Sequence, residues 1–219
     1  MRYAFKEKLV RSMGQRISMG TKYPVLTLFY TRGLKDVFQG QFDFNKYEAR
    51  VEQSFYFKSL GKTKVRIDAG YADRSLPYGQ LFTGEGNYNR NFAIQMKNYF
   101  QTVGLYEFLS DRYVNLFFTH SFESLLFSAG KFKPHITLSQ NIGWGQLRHP
   151  EDHRFVDFKT KEHGLYETGI QFDNLLKINY LNVAYLGFGL GAYYRYGPYA
   201  SSQFGDNIAY KFSMTFATK

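Results

Sequence analysis

The C-terminal segment of the chain alternates between apolar and polar residues with a period of two. From Ile208 to Phe216 every second residue is large and apolar, and the residues between them are small or polar. This period indicates a β-strand, because successive side chains of a strand point to opposite faces of a sheet. An aromatic-rich strand at the end of a chain fits the closing strand of an outer-membrane barrel slightly better than the last strand of a soluble sandwich.

The same alternation recurs along the rest of the chain. It is strongest in residues 47–57, 64–71, 113–122, 135–144 and 180–195, and it is weaker in residues 25–31 and 164–172. Several of these segments reach about 10 residues, which is long for a globular strand and right for a tilted membrane crossing. We therefore predict an all-β fold, namely an antiparallel transmembrane β-barrel of about 8–10 strands or the C-terminal part of a larger barrel.

The composition is rich in aromatic residues and poor in apolar runs. Aromatic residues make up 20% of the 219 residues, yet the mean hydropathy is −0.41. No segment approaches the roughly 18 consecutive apolar residues of a transmembrane helix. Membrane barrels combine these properties, because their strands alternate and their aromatic residues collect at the lipid–water interfaces. The absence of cysteine excludes disulfide, thiolate and cysteine-ligated zinc chemistry.

The chain is strongly basic, which predicts an anionic neighbour. Its formal net charge is +10, and its isoelectric point is near 9.5. The Lys and Arg residues are dispersed and form no nucleic-acid motif, so no nucleic-acid partner is predicted. The phosphates of lipopolysaccharide and other anionic lipid headgroups fit this charge, and solvated charge in loops is the alternative explanation.

The predicted connections alternate roughly between long and short, as in outer-membrane barrels. Residues 32–45, 73–109 and 145–162 are long, residues 59–61 and 173–179 are short, and residues 123–133 and 196–205 are intermediate. We expect the long connections to be extracellular. The domain prediction is an N-terminal lead-in or partial strand at residues 1–22, followed by a barrel region at residues 23–219 that contains the long loop 73–109.

Charged residues occupy one face of two strands that a tight turn joins. The predicted ionic ladder consists of Glu48, Arg50, Glu52, Lys64, Arg66 and Asp68. Opposite charges on neighbouring strands can pair across a sheet. These residues can brace a barrel wall, line a pore or dock the long loop, and bracing is the preferred interpretation.

Three glycines share one face of the penultimate strand. Gly187, Gly189 and Gly191 stand at successive positions of the same face. Glycine weakens an isolated strand, so the repetition indicates a close approach of other groups, a sharp bend or relief of crowding.

The cluster that most resembles a functional site is the segment from His149 to His153. Two histidines four residues apart, with carboxylates between them, can bind a metal ion. However, the segment contains a proline and has the composition of a loop, and side chains four apart share a face only on a helix. We therefore predict no metal site and no cofactor, with His149 and His153 as a weak candidate.

An outer-membrane enzyme with a site in its loops is a rival hypothesis. It requires a histidine with a carboxylate or a serine within hydrogen-bond reach. The chain has no Gly-x-Ser-x-Gly motif. Ser110 and Asp111 precede His120, and we interpret them instead as part of a turn at a strand edge. A non-enzymatic protein is therefore predicted.

Several motifs of the chain are shared with a known family. The residues Glu107-Phe108-Leu109-Ser110-Asp111-Arg112-Tyr113 open a predicted strand, and Leu76-Pro77-Tyr78 lies in the long loop. With Tyr23-Pro24-Val25, they resemble the C-terminal barrel region of a Bacteroidota outer-membrane family of unknown function. Full-length members of that family are similar to a carboxypeptidase-regulatory-like domain followed by a BamA-like surface-antigen barrel.

This resemblance implies a non-enzymatic protein of the outer membrane of a Gram-negative bacterium. It implies membership of the BamA-like surface-antigen group and a role in outer-membrane protein assembly or translocation. The implied partners are outer-membrane lipid with lipopolysaccharide, the barrel-assembly machinery, and an N-terminal part of the same protein. The alternatives are a small porin or structural barrel, and the enzyme described above.

The resemblance also assigns roles to particular residues. By analogy with BamA-like barrels, loop 73–109 folds into the lumen, so Leu76, Pro77 and Tyr78 belong to a lumen loop. Tyr210, Phe212 and Phe216 resemble the terminal strand signal that barrel-assembly machinery recognises. Residues 217–219 depart from the aromatic final residue of that signal.

Overall fold

The computed structural model describes residues 1–12, 14–37, 40–88, 93–130, 132–153, 155–180 and 184–218. Strands account for 61% of the structure, and the described residues contain no α-helix, which confirms the all-β prediction. None of the helical turns in this part of the chain is long and apolar enough to cross a membrane.

The strands and helical turns follow one another along the whole chain. The strands are β1 (Arg2–Ala4), β2 (Leu9–Ser12), β3 (Gln15–Ser18), β4 (Val25–Gly33), β5 (Phe44–Phe57), β6 (Gly61–Ala72), β7 (Phe82–Thr83), β8 (Gly86–Tyr88), β9 (Phe100–Gly104), β10 (Leu109–Ser110), β11 (Arg112–Glu123), β12 (His135–Gln146), β13 (Leu165–Tyr180), β14 (Ala184–Tyr196) and β15 (Ile208–Thr218). Single turns of 3₁₀ helix span Tyr78–Gln80, Pro150–Asp152 and Phe204–Asn207.

Nine of the described strands form one antiparallel sheet in the order β1-β4-β5-β6-β11-β12-β13-β14-β15. All the strands predicted from alternation lie in this large sheet, including the two weak ones. The predicted short connection at residues 173–179 is wrong, because β13 continues to Tyr180. A bulge between Phe172 and Leu176 interrupts the alternation there, which makes the segment resemble a turn.

The large sheet does not close on itself within the described residues. β1 and β15 lie at its two ends, and no pairing joins them in this part of the chain. The chain itself covers part of the β15 edge, because Phe212 N donates to Ala93 O (2.6 Å) and Gln95 N donates to Phe212 O (2.7 Å). The predicted antiparallel sheet is thus present, whereas a closed barrel is not observed among these residues.

The large sheet has one polar face and one apolar face. A row of the polar face comprises Glu52, Arg66, Phe117, Asn141, Glu167 and Arg195. The neighbouring row of the apolar face comprises Val51, Ile67, Leu116, Ile142, Tyr166 and Tyr196. The two rows follow from the pleat, which turns successive side chains to opposite faces across six neighbouring strands.

The two ends of the large sheet differ in their connections. The described residues of segments 34–43, 73–111, 147–164 and 197–207 lie at one end, which we call the long-loop end. The described residues of segments 5–24, 58–60 and 124–134 lie at the other end, which we call the short-turn end. The N-terminal residues 1–22 comprise β1 and the β2–β3 hairpin, and β1 pairs with β4.

The buried core lies between the polar face and the long segment 73–109. One cluster joins Leu76, Leu81 and Phe82 of this segment to Tyr113 and Leu147, among others. A second cluster joins Phe100, Val103 and Phe108 to Phe117 and Leu165. The long segment therefore supplies most of the apolar side chains that pack against the polar face.

The three glycines of β14 lie on the polar face, where side chains of neighbouring strands approach closely. A Cβ atom at Gly187 would overlap Asn174 Oδ1, and one at Gly191 would overlap Gln171 Oε1. At Gly189 it would overlap a backbone oxygen of the adjacent strand. Close approach of other groups therefore accounts for all three positions.

Candidate functional site

Asp68 is the centre of an ionic cluster on the polar face. Its carboxylate accepts hydrogen bonds from Arg50 Nε (2.8 Å) and Arg66 Nε (2.7 Å), and Arg66 Nη2 lies 2.6 Å from Asp68 Oδ2. Arg50 and Asp68 are direct neighbours across β5 and β6. Asp68 is only 2% exposed, so the two guanidinium groups neutralise a carboxylate that solvent cannot reach.

Three residues of the predicted ladder lie on the same face but outside this cluster. They are Glu48, Glu52 and Lys64. Glu52 faces Arg66 across the strands, yet the ion pairs of Arg66 among the described residues are with Asp68 and Glu85. The ladder is therefore centred on one carboxylate rather than extended along both strands.

The ionic cluster continues into the long segment and into the β12–β13 loop. Glu85 Oε1 lies 3.8 Å from Arg66 Nη2, and Asn115 Nδ2 donates to Glu85 Oε2 (3.1 Å). Lys161 Nζ in turn donates to Asn115 Oδ1 (2.8 Å). A chain of polar contacts thus ties β6, the long segment, β11 and the β12–β13 loop together.

Burial changes the ionisation of the two loop residues in this chain of contacts. Burial, together with the nearby Asp68 carboxylate, raises the pKa of Glu85 above its usual range. Burial lowers the pKa of Lys161 to about 8, and the Glu85 carboxylate acts in the opposite direction. Lys161 Nζ also lies 5.6 Å from the ring centroids of Phe100 and Tyr113. The proton on Lys161 is therefore coupled to the docking of both loops.

Raising the pH from about 7 to about 10 is expected to stabilise the folded chain through Lys161. In this range the unfolded chain binds more protons at Lys161 than the folded chain does, because an exposed lysine has a pKa of about 10.4. The free energy of unfolding therefore rises with pH. The Lys161→Met variant should lose this part of the dependence, measured as the urea midpoint of unfolding at each pH.

Lys159→Met is the matched control for this prediction. Lys159 is exposed, lies two residues away and is 3.6 Å from Glu107. This variant should keep the pH dependence of the wild-type chain. Identical slopes for the wild-type chain and Lys161→Met would show that Lys161 does not titrate in this range.

Glu167 holds the long segment against β13. Its Oε2 accepts hydrogen bonds from Thr102 N (2.7 Å) and Thr102 Oγ1 (2.6 Å), and its Oε1 accepts one from Asn141 Nδ2 (2.7 Å). Glu167 is 0% exposed. Beside it, Arg195 donates to Thr102 O (2.9 Å) and to Glu107 Oε1 (2.5 Å). These contacts fix β9 against β13 and β14.

A third set of contacts joins the long segment to β15. Lys211 Nζ donates to Asn87 O (2.6 Å), and Asn87 Nδ2 donates to Gln101 Oε1 (3.0 Å). Lys211 is buried on the polar face of β15. Together with the backbone pairing at Phe212, these bonds place segment 73–109 over the polar face and against the edge of β15.

The family motif at residues 107–113 lies where the long segment returns to the sheet. Phe108 is buried in the second core cluster. Asp111 is buried and accepts hydrogen bonds from Arg148 Nε (2.6 Å) and Arg148 N (3.2 Å). Arg148 also donates to Asp73 O (2.9 Å) and to Ala72 O. Asp111 thus clamps the β12–β13 loop to the end of β6.

The other residues of the family motif lie at or near the start of β11, away from His120. Ser110 and Tyr113 are buried, whereas Arg112 is exposed at the start of β11. His120 lies at the other end of β11, where its ring nitrogens contact Thr63 Oγ1 (2.8 Å) and Leu60 O (2.9 Å). The structure therefore does not bring Ser110 and His120 together.

The predicted lumen-loop residues lie at the start of the long segment. Leu76 is buried in the first core cluster, and Tyr78 packs against that cluster while stacking on Tyr106 at 5.5 Å between ring centroids. Pro77 precedes the 3₁₀ turn that Tyr78 opens. These three residues anchor the base of the segment near the long-loop end.

A cavity of about 500 Å³ remains on the polar face toward the short-turn end. Its wall includes Lys62 and Lys64 from β6, Lys97 from the long segment and Asp173 from β13. The long segment therefore fills the polar face near the long-loop end and leaves space near the short-turn end.

The two histidines of the weak metal-site candidate contact different groups. His149 Nδ1 lies 3.1 Å from Glu151 Oε1, and the His153 ring packs edge-on against Phe158. No group of three His, Asp or Glu side chains is placed to hold a metal ion in the part of the chain that the structure describes.

The apolar face of the large sheet is exposed along its whole width. On β15, Tyr210, Phe212 and Phe216 of the predicted terminal strand signal are 73%, 61% and 64% exposed. Ile67 on β6 and Leu138 on β12 are also exposed. A contiguous apolar surface of this extent marks an interaction surface rather than an ordinary solvated face.

Aromatic side chains gather on the apolar face near the long-loop end. Tyr30, Tyr47 and Tyr71 are neighbours across β4, β5 and β6. Trp144 packs edge-on against Tyr166, whose ring lies 5.6 Å from that of its cross-strand neighbour Tyr196. The rings and hydroxyls form a belt between the apolar face and the polar loops.

Positive charge is concentrated at the short-turn end. The described residues of segments 1–24, 51–64, 119–136 and 172–189 include eleven Lys and Arg residues and four acidic ones. They are Arg2, Lys6, Lys8, Arg11, Arg16, Lys22, Lys58, Lys62, Lys64, Lys133 and Lys177, with Glu7, Glu52, Glu123 and Asp173. The other described residues include 13 basic and 14 acidic ones, so their charges nearly balance.

Residues 1–160 match the model of a family described as "Family of unknown function (DUF5686) C-terminal domain". The chain belongs to this family. The match spans β1 to β12 with the long segment, and β13 to β15 lie beyond it. No curated protein and no solved structure matches the chain. The predicted resemblance to the C-terminal region of a family of unknown function is thus confirmed at this level.

The sequence prediction for this DUF5686 C-terminal domain missed most contacts of the long segment. Alternation on β13 and β14 does place Glu167 and Arg195 on the polar face. The sequence therefore indicates one side of these contacts, although not their partners in the long segment. Glu85 and Lys161 lie in segments without periodicity, and no local pattern connects them to each other or to Asp68.

Proposed function

We propose that the chain forms part of the wall of a non-enzymatic β-barrel protein in the outer membrane of a Gram-negative bacterium. The observation that carries this proposal is the exposed apolar face of the large sheet, opposite a polar face with buried, paired charges. An apolar surface this wide is unfavourable in water, whereas in a bilayer it contacts lipid.

Strand length and aromatic placement support the same proposal. The strands from β5 to β15 in the large sheet are 11 to 16 residues long. A tilted strand needs about 9–11 residues to cross the hydrocarbon core. The aromatic belt that contains Trp144 and Tyr166 lies where a lipid–water interface would meet the long-loop end.

Because the large sheet has free edges, this wall needs further strands to be complete. Unpaired strand edges are not tolerated in lipid, because their backbone groups have no water to bond. In this proposal, strands from an N-terminal part of the same protein pair with the two edges and complete the barrel. The Ala93–Gln95 contact with Phe212 then covers the edge of β15 only in part.

The docking of the long segment supports an assembly or translocation role over that of an open porin. Glu85, Thr102 and Lys211 connect the segment to three different strands, so it covers the polar face near the long-loop end. In this proposal the protein resembles the BamA-like surface-antigen group, and it handles membrane or secreted polypeptides. The barrel-assembly machinery recognises its terminal strand, including Phe216.

Trp144 provides a direct test, because it is the single tryptophan of the chain. Its side chain is 43% exposed on the apolar face. Phosphatidylcholine with brominated acyl chains quenches a tryptophan that touches lipid. After reconstitution, we expect brominated bilayers to remove most of the Trp144 emission, while aqueous iodide has little effect.

The double variant Trp144→Phe/Phe155→Trp is the matched control. Phe155 is fully exposed in the β12–β13 loop, so its replacement should be quenched by iodide and not by brominated lipid. Quenching of Trp144 by iodide alone would overturn the proposed membrane location.

A further inference from the structure

The β2–β3 hairpin projects from the short-turn end of the large sheet. Among the described residues, β2 and β3 pair only with each other. The base of the hairpin is fixed, because Arg2 and Ser18 both donate to the Glu7 carboxylate and Thr21 Oγ1 donates to Phe5 O (2.6 Å). The hairpin therefore has a defined position at its base, and its two strands extend the large sheet at neither edge.

The two faces of the hairpin differ in chemistry. On one face, Val10 and Ile17 are cross-strand neighbours, and both are about half exposed. On the other face, Arg11 lies directly opposite Arg16. Two like charges in this position repel each other, which destabilises a hairpin unless an anion lies beside them.

The chain supplies no acidic side chain for these arginines within its first 24 residues beyond Glu7. The hydrogen bond from Arg2, followed by that from Ser18, lowers the pKa of Glu7 to about 2. Glu7 is therefore charged at neutral pH, and its two partners at the hairpin base already hold it. An anion beside Arg11 and Arg16 therefore has to come from outside this segment.

We infer that the hairpin is a binding site for the anionic headgroups of phospholipids in the leaflet at the short-turn end. This inference rests on the proposed membrane location. The guanidinium groups of Arg11 and Arg16 bind headgroup phosphates, and the apolar pair Val10 and Ile17 enters the interfacial region.

The distribution of charge favours lipid over an acidic protein as the partner. Lys58, Lys133 and Lys177 lie on three other elements of the same end, and the apolar turn residues Leu125 and Leu126 of this end are exposed. Basic residues spread over several elements along one end of an apolar face match an anionic membrane surface, which is continuous. An acidic protein would instead need a single localised patch. The nearly balanced charge elsewhere makes the long-loop end a poorer site for lipopolysaccharide phosphates.

The absence of native cysteine permits a site-specific test on the full chain. The Ile17→Cys variant, labelled with an environment-sensitive fluorophore, is reconstituted in phosphatidylcholine with or without phosphatidylglycerol. We expect phosphatidylglycerol to raise and blue-shift the emission, and high salt to reverse the change. Adding Arg11→Gln and Arg16→Gln should lower the ratio of docked to undocked hairpin roughly thirtyfold.

Two controls test the hairpin inference separately from the proposed membrane location on which it rests. The double variant Lys35→Gln/Arg74→Gln removes two charges at the long-loop end and should leave the response at position 17 unchanged. A label at Phe155→Cys should not respond to phosphatidylglycerol. If brominated lipid quenches Trp144 but the label at position 17 ignores phosphatidylglycerol, the hairpin inference is wrong and the membrane proposal stands. If Trp144 is not quenched, the membrane proposal itself is wrong.

Discussion

Replacing Asp68 with alanine is expected to destabilise the folded chain by about 3–5 kcal/mol. The Asp68 carboxylate is the shared partner of Arg50 and Arg66, and it is buried on the polar face. Its removal leaves two guanidinium groups on neighbouring strands, and among the described residues the remaining ion pair of Arg66 is with Glu85 at 3.8 Å. Breaking a buried ion pair is costly because the remaining charge keeps its desolvation penalty. The measurement is the urea midpoint of unfolding, followed by Trp144 fluorescence.

Asp43→Ala is a closely matched control for this prediction. Asp43 also contacts two arginines, Arg32 at 3.6 Å and Arg74 at 3.1 Å, but both arginine side chains are more than half exposed. Exposed ion pairs contribute about 0–1 kcal/mol, so this variant should unfold close to the wild-type midpoint. Equal shifts in the two variants would mean that the interior cluster is no more important than a surface pair. Replacing both Arg50 and Asp68 with leucine should recover part of the loss, since Arg66 is then the only one of the two arginines that has lost its carboxylate partner.

The strands of this chain are predictable because alternation is a local property. Ile142 and Trp144 stand on the apolar face and Asn141 on the polar face, as their spacing requires. The continuation of β13 through Asp173 is different, because its bulge breaks the period at residues that also favour turns. A periodic pattern cannot distinguish such a bulge from a chain reversal.

The ionic cluster around Asp68 can be predicted from the sequence only where a short turn fixes the register of two neighbouring strands. The tight turn at residues 58–60 sets the pairing of β5 with β6, and this pairing brings Arg50 opposite Asp68. The contacts of Glu85 and Lys161 depend instead on how two long irregular segments fold over the sheet. The cover that Ala93 and Gln95 provide for the β15 edge is equally non-local, so it is absent from any pattern of neighbouring residues.

Replacing Glu167 with alanine is expected to release the long segment from the polar face. The substitution removes the acceptor of the Thr102 N and Thr102 Oγ1 hydrogen bonds and leaves Asn141 without its partner. Leaving a buried donor without its acceptor costs about 1–3 kcal/mol. A loss of about 3 kcal/mol raises the open population of the segment roughly a hundredfold. Val103 is fully buried in β9, so the rate at which a membrane-impermeant maleimide labels a Val103→Cys variant reports this opening.

The labelling comparison requires that Glu167→Ala acts on the segment and not on the whole fold. Thr168→Ala on the same strand, whose side chain lies on the opposite face, is the matched background and should leave labelling slow. A cysteine at the fully exposed Phe155 should react equally fast in every background. An unchanged rate at position 103 in Glu167→Ala would show that Arg195, through Glu107 and the Thr102 carbonyl, holds the segment without Glu167. An increase confined to position 103, in a chain that remains folded, would make segment 73–109 a separately releasable part of the structure, as the proposed polypeptide handling requires.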